Sequence, residues 1–183
     1  MKLSANEARR EMFGRLNQAE VHHDLLCALR DASADKTNLI KLNRNRRFFA
    51  GVESALFYST VVLLYSLYET RKDTINFFRL LDALDDIATV DQLESYRGRI
   101  EQVKPLWIKI GILRNEMIGH QSLEGTALAV QTKASLNTSH VDKFLEASKK
   151  LLLDISSAHY DTHIDFMDNT RTSVATLLSR LAL

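Results

Sequence analysis

At 183 residues the chain is long enough to bury a substantial core, and its formal net charge of +1 provides no global field to attract nucleic acid. A nucleic-acid partner would have to meet a local basic patch. Hydrophobic residues make up 45% and charged residues 26%, as in an ordinary globular protein; one proline and six glycines leave little material for tight turns. Long elements and few turns exclude a many-stranded sheet and predict an all-α fold, a helical bundle of about five to six helices forming a single domain over residues 1–183. Cys27 is the only cysteine, which excludes an intramolecular disulfide and gives no sign of an oxidising compartment. The residues from Met1 to Arg10 lack the apolar run of a secretory signal, so a cytoplasmic address is expected.

In chain order, Ser4 and Glu7 have the spacing of a capping box that opens a first helix. Met12, Leu16, Ala19, His23 and Leu26 follow at steps of three or four, giving one apolar stripe on which His23 reads as a hydrogen-bonded core histidine. Asp31 to Lys36 is a polar break. The basic run Lys41, Arg44, Arg46 and Arg47 leads into a second helix ending at Tyr68, apolar nearly all round and so expected at the centre of the bundle, with Phe48 and Phe49 in the core. The uncharged part of that helix, Ser54 to Tyr68, is too short to cross a bilayer comfortably, and no membrane association is expected.

Ile75, Phe78, Leu81, Leu84 and Ile87 mark a third, shorter helix. Asp91 and Glu94 have capping-box spacing for a fourth, in which Val103, Leu106, Ile110, Leu113 and Met117 form a heptad-like seam. Pro105 should kink or break that helix, and Gly119 is placed to end or unwind it. A loop is expected over residues 121–137, then a helix from Thr138 or Ser139 carrying Val141, Phe144, Leu145, Leu151, Leu152 and Ile155, and a short closing helix from Ser173 to Leu181.

Where the apolar seam runs out stands Leu113-Arg114-Asn115-Glu116-Met117-Ile118-Gly119-His120. Arginine offers a permanent, forked charge for phosphate, and histidine moves a proton near neutral pH. The spacing alone is common, as Arg15 and His22 show. What sets Arg114 and His120 apart is context: a polar Asn115 after the arginine, a small Gly119 before the histidine, and a position at the end of a core helix where a site is both rigid and open. On a regular helix six residues turn through about 600°, leaving the two side chains roughly 120° apart, so a local distortion or the reach of the arginine must bring them together. Glu116, four residues before His120, is placed to raise its pKa.

This segment resembles the HEPN superfamily (higher eukaryotes and prokaryotes nucleotide-binding), whose helical domains carry an arginine, a polar residue, spacers and then a histidine. The order of the preceding helices looks most like its abortive-infection branch. The resemblance implies a HEPN-like fold and a metal-independent endoribonuclease of bacterial defence or toxin–antitoxin systems, acting on RNA, without a cofactor, and with an antitoxin or nucleotidyltransferase as a partner. Some members carry a tyrosine two residues after the histidine that such a partner modifies; Ser122 occupies that position, so this regulation is not carried over. Some members have lost catalysis, and the alternative is a non-catalytic module that binds RNA or protein.

The chemistry stands independently of the resemblance. Attack by an RNA 2′-hydroxyl on its own phosphorus needs a base, an acid for the leaving oxygen, and a cation for the equatorial oxygens. One chain supplies the motif once, so a two-fold homodimer would complete a composite site with Arg114 and His120 catalytic and Asn115 and Glu116 in support. Lys41, Arg44, Arg46 and Arg47 are further candidates for phosphate contact, although a basic run between helices is usually a solvated surface. His159 and His163, interleaved with Asp161 and Asp165, have the spacing to bridge a metal but lack an identifiable third ligand, and Glu20 with His23 is a lone Glu-x-x-His, so no metal site is expected.

Overall fold

The structure, a computed structural model, describes residues 4–119, 126–160, 162, 165–166 and 170–181. Among these it is all-helical: α1 (Ala5–Ala32), α2 (Lys36–Arg44), α3 (Arg46–Leu67), α4 (Phe77–Leu84), α5 (Val90–Ile112), a π-helical segment (Leu113–Gly119), α6 (Ala127–Ala134), α7 (Thr138–Tyr160) and α8 (Thr170–Arg180). These eight α-helices exceed the five to six expected. The segments missed were the short ones, α2 inside the supposed approach to α3 and α6 inside the supposed loop.

The helices start where backbone donors find side-chain acceptors. The Ser4 hydroxyl accepts from the Glu7 amide at 3.2 Å while the Glu7 carboxylate accepts from the Ser4 amide at 3.0 Å, the reciprocal box read from sequence. For α5 the expected pair is corrected. Thr89 and Gln92 form the box, at 3.3 and 2.9 Å, which moves the start two residues earlier and leaves Asp91 as a first-turn acid favoured by the helix dipole. Asp35, read as part of a break, caps α2 by accepting from the Asn38 amide at 2.9 Å. Pro105 neither breaks nor ends α5, which runs through it; the proline and Glu101, whose carbonyl it deprives of a donor, both lie on the exposed side.

The chain divides into two compact units. The first comprises residues 1–16 and 61–165. Its core includes Met12, Leu64, Leu67, Phe77, Leu80, Leu81, Ile110, Phe144, Leu151 and Leu152, all essentially without solvent contact. Tyr68 lies among Phe77 and Phe144, with ring centroids at 4.9 and 5.0 Å, and bonds the Ser148 hydroxyl at 2.8 Å. Burial pushes its phenol far above the ordinary tyrosine range. The seam of α5 is confirmed at Val103, Ile110 and Leu113, all buried, while Leu106 and Met117 are half-buried.

The second unit, residues 17–60 and 166–183, is built around Leu29, Leu42, Phe49, Val174 and Leu178. Arg171 pairs with Asp24 at 3.0 Å, tying α8 to α1. His23 is buried as expected, with the Cys27 sulfur 3.7 Å from its ring. The closing helix α8 starts earlier than expected, at Thr170.

Helix α3 is the main surprise. It is not a central core helix: only 22% of its most apolar stretch is buried, and Phe48, expected in the core with Phe49, is 65% exposed. Phe48, Gly51, Ala55, Tyr58 and Val62 are all exposed and follow one another at steps of three and four residues, which places them on one face. Hydropathy cannot distinguish a face that packs on the chain's own core from one left to another surface. By length and composition alone this helix is also long and apolar enough to cross a membrane.

Sequence reasoning used His22 only as an example of chance spacing. Its Nδ1 lies 2.8 Å from the Ser59 hydroxyl, and burial lowers its pKa below the usual 6.5. The folded state thus disfavours the imidazolium that the unfolded chain accepts. The contribution is intact above pH 6.5 and is lost progressively as the pH falls through that value towards the depressed folded pKa. Denaturant unfolding should therefore give lower stability at pH 5.5 than at pH 7.5, with a smaller difference in His22→Gln. An unchanged difference would mean that other groups account for it.

Candidate functional site

Arg114, Asn115 and Glu116 lie on the π-helical segment that continues α5. Winding with i→i+5 bonds is rare and recurs at functional sites, so the expected distortion is present and begins before Gly119, at Leu113. The arginine is set by residues upstream. Trp107, Gly111 and Arg114, spaced by four and three, share a face of the helix, and Tyr65 from α3 lies across it.

The indole of Trp107 stacks on the Tyr65 ring at 5.4 Å between centroids, with 19° between planes, and its Nε1 donates to the Tyr65 carbonyl at 3.0 Å. A Cβ at Gly111 would already touch the Tyr65 ring, 3.4 Å from Cε2, so any side chain longer than alanine's would press on it. The Arg114 guanidinium lies over the same ring, 5.1 Å from its centroid, and Nη1 donates to Asn115 Oδ1 at 3.0 Å. Among the described residues no carboxylate pairs with Arg114. A cation held by an aromatic face and an amide oxygen keeps its charge for an anionic ligand, whereas a salt bridge would neutralise it.

The other expected site residues fall as follows. Glu116 forms an ion pair with Lys133 of α6 at 2.5 Å, which braces the π-segment. His120 lies outside the described residues. The Lys41 ammonium donates to the Leu178 carbonyl at 2.8 Å, inside the second unit. Arg44, Arg46 and Arg47 are exposed in that same unit, while Arg114 belongs to the first. His159 bonds the Tyr96 hydroxyl at 3.2 Å; His163 and Asp161 lie outside the described residues. Among the described residues no group of three or more His, Cys, Asp and Glu side chains converges as metal ligands. Sequence reasoning missed Tyr65 and Trp107, whose only signal was a glycine between a tryptophan and an arginine on one helical face.

An all-helical chain whose long apolar helix runs into Arg114-Asn115, with His120 five residues after the asparagine, is a HEPN domain of the abortive-infection type. More narrowly, it belongs to the AbiU2 family, whose profile matches residues 5–171. No curated protein and no solved structure matches the chain significantly.

Proposed function

We propose that this protein is a metal-independent endoribonuclease of a bacterial defence or toxin–antitoxin system, acting as a homodimer whose two Arg/His motifs share one cleft. The observation that carries the reading is the Arg114 guanidinium, pre-set on the Tyr65 ring and by Asn115 and not spent on a carboxylate among the described residues. Membership of the AbiU2 family supports it. In this mechanism one histidine takes the proton of the RNA 2′-hydroxyl as its oxygen attacks phosphorus. Arg114 stabilises charge on the non-bridging oxygens, and a second histidine protonates the departing 5′-oxygen. The products are a 2′,3′-cyclic phosphate and a 5′-hydroxyl. The same sequence made as DNA lacks the attacking oxygen and should remain uncut while RNA is cleaved; equal cutting of both would reject the reading. RNA binding without cleavage would favour a non-catalytic module.

The exposed apolar face of α3 is the surface we assign to pairing, because a face of this kind is costly to leave in water and a second copy presents the same residues. Tyr58→Glu should shift the protein from dimer to monomer in light scattering and reduce cleavage with it. A dimer that persists unchanged would move the interface elsewhere. Sedimentation of wild type with lipid vesicles in place of self-association would assign α3 to a membrane.

A further inference from the structure

A cavity of about 210 Å³ opens beside the Tyr65–Trp107 stack. Tyr68 and Ile100, both buried, form its floor; the half-exposed Phe78 and Trp107 form walls. Lys104 and Glu101 stand at its mouth and pair with each other at 2.8 Å. Its lining is almost wholly apolar, so it offers little to a charged group, and its two charged lining residues pair with each other. Such a space suits an uncharged, largely apolar group, such as the flat ring of a base.

Its location narrows the choice. Trp107 is at once a wall of the cavity and the neighbour on which Tyr65, the support of Arg114, is stacked. The cavity's lining residues on α5, from Ile100 to Trp107, lie about 21 to 10 Å from Arg114 along the helix axis. A strand whose phosphate is held by Arg114 can therefore lay a base one or two nucleotides away into the cavity. The indole is already fixed by its hydrogen bond to the Tyr65 carbonyl, so little freedom is lost when a ring packs against it.

We infer that this cavity is a nucleobase subsite, taking one unstacked base of a single-stranded RNA within two nucleotides of the phosphate at Arg114. The inference rests on the ribonuclease reading and adds what that reading leaves open, the form of the substrate. Because the lining has few polar atoms, recognition is by stacking, tolerant of base identity and selective against duplex, whose bases are occupied with one another.

The test uses the chain's only tryptophan as reporter. A 2′-O-methylated single-stranded oligonucleotide, which cannot be cleaved, is titrated while Trp107 fluorescence is followed; binding of a labelled copy is measured in parallel by polarisation. Saturable quenching that tracks binding is expected. Phe78→Ala should weaken binding by about 5- to 150-fold. Phe78→Leu, which keeps the cavity wall apolar and serves should the alanine variant fail to fold, should also weaken it. The same sequence as duplex should leave the fluorescence unchanged. Tight binding with unchanged fluorescence and no effect of either variant would overturn the subsite but leave the ribonuclease reading intact. Absence of any RNA binding would overturn both. Equal quenching by a free nucleoside monophosphate at the same concentration would overturn the assignment to a strand.

Discussion

His120→Ala is expected to lower RNA cleavage by about 10²- to 10⁴-fold while RNA binding stays close to wild type. On the proposed mechanism, removing the proton carrier from each of two equivalent positions takes away both base and acid, whereas the arginine proposed to hold phosphate remains. The measurement is the initial rate on end-labelled RNA, with affinity taken from polarisation on an uncleavable analogue and folding from circular dichroism. Mixed dimers sharpen it. If the two histidines have separate roles, a dimer with one altered chain should already lose most activity. Cleavage at the wild-type rate in the homodimeric variant would remove His120 from the mechanism.

Arg114→Ala should cost about 10²- to 10³-fold in cleavage, the usual effect of deleting a donor aimed at developing charge. Arg114→Lys should recover little. Lysine keeps the charge but loses the planar fork, and with it both the lie over the Tyr65 ring and the bond to Asn115 Oδ1. The geometry adds a graded series to this prediction. Tyr65→Phe retains the ring beneath the guanidinium and should be nearly silent. Tyr65→Ala removes that support and should weaken both cleavage and RNA affinity, less severely than loss of the arginine itself. Gly111→Leu should act like Tyr65→Ala, because a side chain at that position meets Tyr65 at its first carbon, 3.4 Å away, and continues into the ring. A tyrosine series without effect would show that Arg114 is positioned by the π-segment alone.

Much of the helical scaffold was legible because its signals are local. Ser4 and Glu7 have a spacing that satisfies two donors at once, and the apolar steps through Val103, Ile110 and Leu113 match the helical period. Thr138 was likewise read as the start of α7. Two local signals competed at α5, and Thr89 with Gln92 prevailed over Asp91 with Glu94 because the chain turns into the helix two residues earlier. Helix α2 was hidden by its composition, with Lys36, Lys41, Arg44 and Asn43 resembling a solvated run and only Leu42 buried.

The site was legible as a motif and illegible as a place. Arg114 and Asn115 stand out in sequence, but the ring that carries the guanidinium comes from Tyr65, 49 positions upstream on another helix, and no periodicity links them. Composition likewise does not reveal that a carbonyl of α8 receives the Lys41 ammonium. For α3 the error was one of inference: a helix apolar nearly all round was read as a core helix, yet Phe48, Tyr58 and Val62 face outward. Periodicity shows that such faces exist, not which of them the rest of the chain covers.

The most direct measurement is the chemistry of the RNA ends produced by the purified protein in excess chelator. The account predicts continued cleavage, leaving 2′,3′-cyclic phosphate and 5′-hydroxyl termini, and complete protection when the nucleotide 5′ to the scissile phosphate is replaced by its 2′-deoxy form. Activity that disappears with the chelator and returns with a divalent ion, or 5′-phosphate products, would contradict it.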